Sequence, residues 1–130
     1  AAKVLFTTTS WLDVQNRKAD VFEPLAPLLK ALPAGTRPIL SHRYRLAQLL
    51  SSSADKAVAL AHVVEGWGLS MENVMAFGDD VNDVGMLQAS AVGVAVSNAV
   101  SEVHAAADRI TGTNDEEGVA TVLNEILDGR

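Results

Sequence analysis

Residues 77–83 of this 130-residue chain read Phe77-Gly78-Asp79-Asp80-Val81-Asn82-Asp83. Residues 73–77, which are apolar from Val74 onward, predict a buried strand that ends at Gly78. Three carboxylates and one amide follow within five positions, which is more than the cap of one helix requires. Clustered carboxylates repel one another unless a cation offsets them, and Mg²⁺ prefers a few carboxylates together with water and phosphate oxygens. The stretch therefore predicts a metal site at a strand end, against the plainer interpretation of an acidic turn that caps the next helix.

On both sides of this stretch, predicted strands alternate with predicted helices. The strands are predicted at 3–6, 37–40, 73–77, 93–96 and 109–111, and the helices at 22–32, 44–50, 55–66, 83–89, 100–107 and 119–127. This alternation predicts one α/β domain over residues 1–130, with a parallel sheet covered by helices on both faces. The carboxyl ends of such strands meet at one rim, which we expect to bring together residues 8–10, 41–43 and 78–80.

Several motifs in the second half resemble the haloacid dehalogenase superfamily, and most closely its Cof-type sugar-phosphatase branch. They are Asp55-Lys56-Ala57, Gly78 to Asp83 with Met86-Leu87, Gly93-Val94-Ala95-Val96 with Asn98-Ala99, and Thr111-Gly112-x-Asn114-Asp115-x-x-Gly118-Val119-Ala120. The resemblance implies a three-layer α/β/α Rossmann-like fold. It also implies a Mg²⁺-dependent phosphomonoester hydrolase that acts on small phosphorylated metabolites such as sugar phosphates. The implied ligand of the site is such a metabolite or inorganic phosphate.

The same resemblance implies a role for four residues of the second half. Lys56 would hold the phosphoryl group and its acidic neighbours. Asp79 would ligate Mg²⁺, and Asp83 would be a second acidic ligand or a support for the loop. Asn82 would orient a phosphoryl oxygen.

The first half resembles the family more weakly. Ser41 stands where the family places a hydroxyl that holds a phosphoryl oxygen, but His42 replaces the glycine that follows. The family's first strand leads into Asp-x-Asp-Gly-Thr, in which the first aspartate attacks phosphorus and the second is the general acid/base. Alignment puts Thr8 and Ser10 at these two positions, and a hydroxyl without a nearby base replaces neither carboxylate. The resemblance therefore implies that turnover is impaired or absent.

A second departure from the family concerns the cap. Cof-type members place a large substrate-covering cap between the serine motif and the lysine motif. Here only about a dozen residues separate Arg43 from Asp55, which implies that the cap is absent and that a shortened junction lies near residues 51–54. These departures leave open a natural, catalytically silent relative or an engineered core.

Charge and composition exclude other classes of protein. Residues 1–50 contain seven Lys/Arg and three Asp/Glu, whereas residues 51–130 contain three and thirteen, in agreement with the net charge of −6. The acidic second half argues against nucleic-acid binding, which requires cations at the phosphates. No apolar run approaches the roughly 20 residues of a membrane helix, and no signal-peptide leader is recognisable. With no cysteine in the chain, we expect a cytoplasmic protein without disulfides or thiolate metal sites.

Two alternatives to an active phosphatase stay open. One is a phosphatase fold without turnover, which binds a cation or phosphate only weakly. The other is a binding module in which the hydroxyl-rich run Thr7-Thr8-Thr9-Ser10 cradles a free phosphate or that of flavin mononucleotide, although Trp11 crowds this loop. Turnover of p-nitrophenyl phosphate that EDTA abolishes would favour the active phosphatase, and a bound flavin would favour the module.

Overall fold

The computed structural model of the protein describes residues 4–7, 22–41 and 45–129. The chain divides into two compact units, Ala1–Ala54 and Asp55–Arg130, each with a three-stranded sheet. The division falls at the end of the polar junction that the sequence predicts at 51–54. The expectation that residues 1–130 form one domain stays a prediction.

The first unit is built on an antiparallel sheet. Its elements are β1 (Val4–Thr7), a 3-10 turn (Glu23–Leu25), α1 (Ala26–Lys30), β2 (Thr36–Ser41) and β3 (Leu46–Ser51). The order is β1-β3-β2, and β3 pairs with both neighbours in the antiparallel sense. Pro38 lies on the outer strand β2, where the missing N–H costs no hydrogen bond in the interior of the sheet. Phe22 and Ala47 are buried in this unit.

Two sequence predictions for this unit are wrong. The helix predicted at 44–50 is instead β3, because hydrogen bonds to strands on both sides override the helical propensity of its Leu, Ala and Gln residues. The first strand was expected in a parallel sheet, but β1 pairs antiparallel with β3, with Val4 opposite Leu49 and Thr7 opposite Leu46. Strand β2, predicted at 37–40, is present but also antiparallel.

The second unit contains the parallel sheet. Its elements are α2 (Lys56–Gly66), β4 (Met75–Gly78), α3 (Val84–Ala89), β5 (Val92–Val96), α4 (Ser101–Ala106), β6 (Arg109–Thr111) and α5 (Gly118–Leu127). The order is β4-β5-β6, and both pairs are parallel. Helices α3 and α4 connect successive strands, as parallel pairing requires. The predicted α/β class with a parallel sheet is confirmed.

The core of the second unit lies between the sheet and these crossover helices. Leu87 of α3, Ala95 of β5 and Val103 of α4 form one buried cluster, each at most 1% exposed. Val122 of α5 is fully buried, whereas the other large apolar residues of this helix are exposed: Val119, Leu123, Ile126 and Leu127. This packing fixes the carboxyl ends of β4 and β5, from which the loops of the candidate site begin.

None of the described helices is long and apolar enough to cross a membrane.

Candidate active site

Lys56 is placed by the cap of helix α2. Asp55 is the N-cap in an extended conformation, and its Oδ1 accepts a hydrogen bond of 2.7 Å from the backbone N–H of Ala57. A carboxylate at this position satisfies one of the N–H groups that a helix start leaves unpaired. Lys56 is therefore the first residue of α2, and its side chain is about half exposed.

Asp83 organises the loop that follows β4. It is 5% exposed and ends the 3-10 turn Val81–Asp83. Its Oδ2 accepts hydrogen bonds from the backbone N–H groups of Asp79, at 3.1 Å, and Asp80, at 3.3 Å. Its Oδ1 forms an ion pair with Nζ of Lys56. One buried carboxylate thus fixes the backbone of the acidic loop and the position of the lysine.

Gly78 leaves the space that Asp83 occupies. A Cβ at residue 78 would lie 2.6 Å from Cβ of Asp83 and 2.7 Å from Cδ1 of Leu87. The Asp79 carbonyl accepts a 3.0 Å hydrogen bond from the N–H of Val100, which ties the loop to the start of α4. The glycine before the acidic run is therefore a packing requirement of this loop.

The ion pair and the acidic loop line one open cleft of about 420 Å³. The cleft is lined by Lys56, Phe77, Gly78, Asp79, Asp83, Met86, Val96, Asn114 and Val119. Its volume lies in the range of sites for small molecules. Within the part of the chain that the structure describes, it brings together three of the predicted site residues, Lys56, Asp79 and Asp83.

The loop contains more negative charge than Lys56 offsets. Asp79, Asp80 and Asp83 are three carboxylates against one ammonium, which leaves a formal charge of −2. Asp80 is only 6% exposed, and its Oδ1 has no hydrogen-bond partner among the described residues. A divalent cation would offset this charge, and oxygen donors with no sulfur or imidazole match the ligand preference of Mg²⁺. No group of three or more His, Cys, Asp or Glu side chains in the described residues is arranged to enclose a metal. In proteins Mg²⁺ usually keeps several waters and binds through one or two carboxylates.

Among the described residues, Asn82 and Ser41 are the other predicted site residues. Asn82 is half-buried in the 3-10 turn and does not line the cleft. Ser41 ends β2 in the first unit, where it is 1% exposed and its Oγ has no partner among the described residues. Thr8 and Ser10 lie outside the described residues, as do His42 and Arg43. The roles of these residues stay predictions.

Sequence reasoning missed one polar residue of the cleft and its neighbour. Asn114 lines the cleft, and its Oδ1 accepts a 2.5 Å hydrogen bond from Nδ2 of Asn98. Both asparagines belong to motifs that resemble the family, but the sequence predicts no site role for either of them. Their positions after β5 and β6, at the same sheet edge as the loop after β4, could have pointed to the site.

Comparison with known proteins places the chain in a family. The model of the haloacid dehalogenase-like hydrolases matches residues 12–123. A 5-amino-6-(5-phospho-D-ribitylamino)uracil phosphatase of Bacillus subtilis, YcsE, is 51% identical over 69 residues, which are 53% of this chain and 28% of that protein.

Solved structures agree with this match. A haloacid dehalogenase-like hydrolase from Bacteroides thetaiotaomicron has a TM-score of 0.66 at 32% identity, over 96% of this chain and 44% of that one. The subclass IIB sugar phosphatase BT4131 has a TM-score of 0.69 at 28% identity, over 80% of this chain and 39% of that one. The chain thus spans less than half the length of these relatives.

The chain belongs to the haloacid dehalogenase-like hydrolase superfamily, in its Cof-type branch. The family and the Rossmann-like fold that the motifs imply are confirmed, and the relatives include phosphatases of small phosphorylated molecules.

Proposed function

We propose that the cleft at the end of β4 binds Mg²⁺ together with the phosphoryl group of a small phosphorylated metabolite, as part of a phosphomonoester hydrolase. The observation that supports this most directly is the ion pair of Lys56 with Asp83, which holds a cationic group beside Asp79 on the wall of one cleft. An ammonium group suits a phosphoryl oxygen, and carboxylates suit the metal that accompanies it.

The chemistry divides among the residues of the cleft. Asp79 and Asp83 would hold Mg²⁺, which when bound would offset the charge on the phosphoryl oxygens. Lys56 would bind a phosphoryl oxygen, and its pairing with Asp83 keeps it in place before the ligand arrives. Asn82 is in the turn beside Asp83 but outside the cleft lining, and its role of orienting a phosphoryl oxygen is proposed from the family resemblance alone.

The proposed substrates are small phosphorylated molecules such as sugar phosphates. Relatives act on a phosphoribitylamino compound and on sugar phosphates, as their names state. The cleft volume of about 420 Å³ suits a ligand of this size. The cytoplasmic location and the lack of a nucleic-acid partner stay predictions.

The antiparallel pairing of β1 changes the interpretation of Thr8 as the residue that replaces the family's nucleophile. Thr8 and Ser10 were aligned with the two family aspartates on the assumption that β1 belongs to the parallel sheet. Because β1 pairs antiparallel with β3, we propose that the unit Ala1–Ala54 takes the place of the cap, which the family puts just before the lysine motif. Under this proposal Thr8 is not a replaced nucleophile. Residues 1–130 alone should turn over phosphate esters weakly or not at all, since β1 contains no aspartate that could attack phosphorus.

A titration of the ¹⁵N-labelled chain with Mg²⁺, followed by inorganic phosphate, tests the proposed site. We expect the backbone amide signals of Asp79, Asp80 and Asp83 to shift first with Mg²⁺ and again with phosphate. The substitution Asp79→Asn should weaken Mg²⁺ binding about tenfold, because it removes one charged ligand. Asp115→Asn, which makes the same change at an exposed residue outside the cleft, should leave it unchanged. Equal effects of the two substitutions, or no shift of the loop amides, would refute the proposal.

A further inference from the structure

A second polar group faces the cleft beside the lysine. Asn114 lines the cleft from the loop between β6 and α5, and it is exposed. Among the nine lining residues, Lys56 and Asn114 have the only side chains with hydrogen-bond donors. Lys56 already donates to Asp83. Of these two side-chain donors, the Asn114 amide is therefore the one that does not donate to another lining residue.

The orientation of this amide is fixed by Asn98. Oδ1 of Asn114 accepts from Nδ2 of Asn98 at 2.5 Å, and the backbone N–H of Asn114 donates to Oδ1 of Asn98 at 3.4 Å. The two contacts form a reciprocal pair between the loops that follow β5 and β6. Because Oδ1 of Asn114 accepts from Asn98, Nδ2 is the atom of this side chain that can donate to a ligand of the cleft.

The loop that contains Asn114 is held on both sides. Thr113 and Glu116 form a capping box, in which the Thr113 N–H and Oγ1 donate to Oε2 of Glu116 at 3.2 and 2.8 Å, and the Glu116 N–H donates to Oγ1 at 3.1 Å. Gly112 and Gly118 approach so closely that a Cβ at residue 118 would lie 2.2 Å from the Gly112 carbonyl oxygen. Asn114 thus lies in a segment whose shape does not depend on a ligand.

We propose that Asn114 is a ligand-binding residue, whose Nδ2 donates to an oxygen of the phosphorylated ligand, and that Asn98 is its positioning residue. The inference rests on the proposed function, since it takes the ligand of the cleft to be a phosphate. A neutral amide is suited to this place because it adds a donor for the anion without repelling the metal. A loop held in advance loses little conformational freedom when the ligand binds.

The test is a titration of the full ¹⁵N-labelled chain with inorganic phosphate at saturating Mg²⁺. The two side-chain Nδ2–H signals of Asn114 report on the proposed contact, and the backbone amides of Asp79 and Asp80 report on the site as a whole. Asn114→Asp should weaken phosphate binding at least tenfold, because a carboxylate replaces the donor and faces an anion. Asn114→Ala should weaken it about fivefold, and Asn98→Ala about threefold through loss of orientation.

The matched control is Asn124→Asp, which makes the same chemical change at an exposed residue of α5 outside the lining. It should change phosphate binding less than twofold, and its Mg²⁺ affinity should equal that of the unaltered chain. Mg²⁺ titration of each variant, with the loop amides as readout, verifies that the acidic loop is intact.

The outcomes separate the two proposals. In one outcome, phosphate shifts the amides of Asp79 and Asp80 but not the Asn114 side-chain signals, and Asn114→Asp binds phosphate as tightly as Asn124→Asp. This outcome refutes the role of Asn114 and leaves the proposed function standing. If phosphate shifts neither set of signals in the unaltered chain, both proposals are refuted. If Asn98→Ala binds as tightly as the unaltered chain, the positioning role is refuted.

Discussion

Lys56 and Asp83, 27 positions apart in the sequence, form an ion pair that joins the first residue of α2 to the turn after β4. The two partners differ in their exposure, since the lysine side chain is 49% exposed and the aspartate side chain 7%. Asp83 therefore has a structural task inside the loop, whereas the lysine keeps a surface that a ligand can reach.

Asp83→Asn should destabilise the protein by about 1–3 kcal/mol, because the amide cannot accept from all three donors and its NH₂ group opposes one of them. Urea unfolding measures the change. Asp115→Asn, at an exposed site, should stay within about 0.5 kcal/mol of the unaltered protein. A cost for Asp83→Asn no larger than that of the control would show that the loop does not depend on this carboxylate.

Lys56→Met should affect the two proposed ligands in opposite directions. Loss of the ammonium should weaken inorganic phosphate binding about tenfold, whereas Mg²⁺ binding should be kept or strengthened, because a like charge beside the metal is removed. Calorimetric titrations of both ligands measure these changes. Lys30→Met, at an exposed residue of α1, is the matched control. Equal weakening of both ligands would indicate that Lys56 only supports the fold.

Gly78→Ala should cost about 2 kcal/mol and weaken Mg²⁺ binding, since the new methyl group would meet Asp83 and Leu87 at less than 3 Å. Gly66→Ala is the natural comparison, because a Cβ there has no atom within 4 Å and alanine favours the end of α2. That variant should be neutral or more stable by up to about 1 kcal/mol. Thermal unfolding of both variants measures the difference in stability. Equal melting temperatures for Gly78→Ala and Gly66→Ala would contradict the predicted clash at residue 78.

The double substitution Thr8→Asp with Ser10→Asp distinguishes the two interpretations of the first strand. If Ala1–Ala54 takes the place of the cap, we expect no rise in p-nitrophenyl phosphate turnover with Mg²⁺. If β1 were instead the family's nucleophile strand, the restored carboxylates should produce turnover that EDTA abolishes. Such turnover would refute the assignment of the first unit.

The loop beside Asn114 should respond to acid. Hydrogen bonds from the Thr113 side chain and backbone lower the pKa of Glu116 below its ordinary value of 4.5. Because the folded-state pKa is the lower one, the stabilising contribution is complete above pH 4.5 and is lost as the pH falls through the folded-state value. NMR titration of the Glu116 carboxyl and of the Thr113 amide should show one shared midpoint below 4.5. In Glu116→Gln the Thr113 midpoint should disappear, and a midpoint that persists would have another origin.

The second half of the chain could be predicted well from the sequence. In the first half the strands β1 and β2 were predicted, but β3 and the antiparallel pairing were not. Residues 55–111 alternate between apolar runs of strand length and helical segments, so that local pattern and parallel pairing agree. The segment Leu46–Ser51 contains residues that favour helices, and its strand conformation depends on partners elsewhere in the chain. The pairing of strands in a sheet is likewise a long-range property, which explains why β1 was expected in the parallel sheet.

The candidate site shows the same limit. The acidic run and Lys56 were recognisable because each is a local motif with its own chemistry. The pair of Asn98 and Asn114 depends on a contact between loops 16 positions apart, which no local pattern encodes. The structural role of Asp83 within the acidic run could not be predicted either, because only the hydrogen bonds show that this carboxylate holds the loop.

Since the Asp83 carboxylate already holds its N–H and ammonium partners, the loop after β4 acquires its shape during folding. A metal ion would therefore bind to a loop that is already formed, so its association rate should depend on how quickly the ion loses its bound water. Removal of the ion by a chelator should accordingly leave the melting of the surrounding helices cooperative.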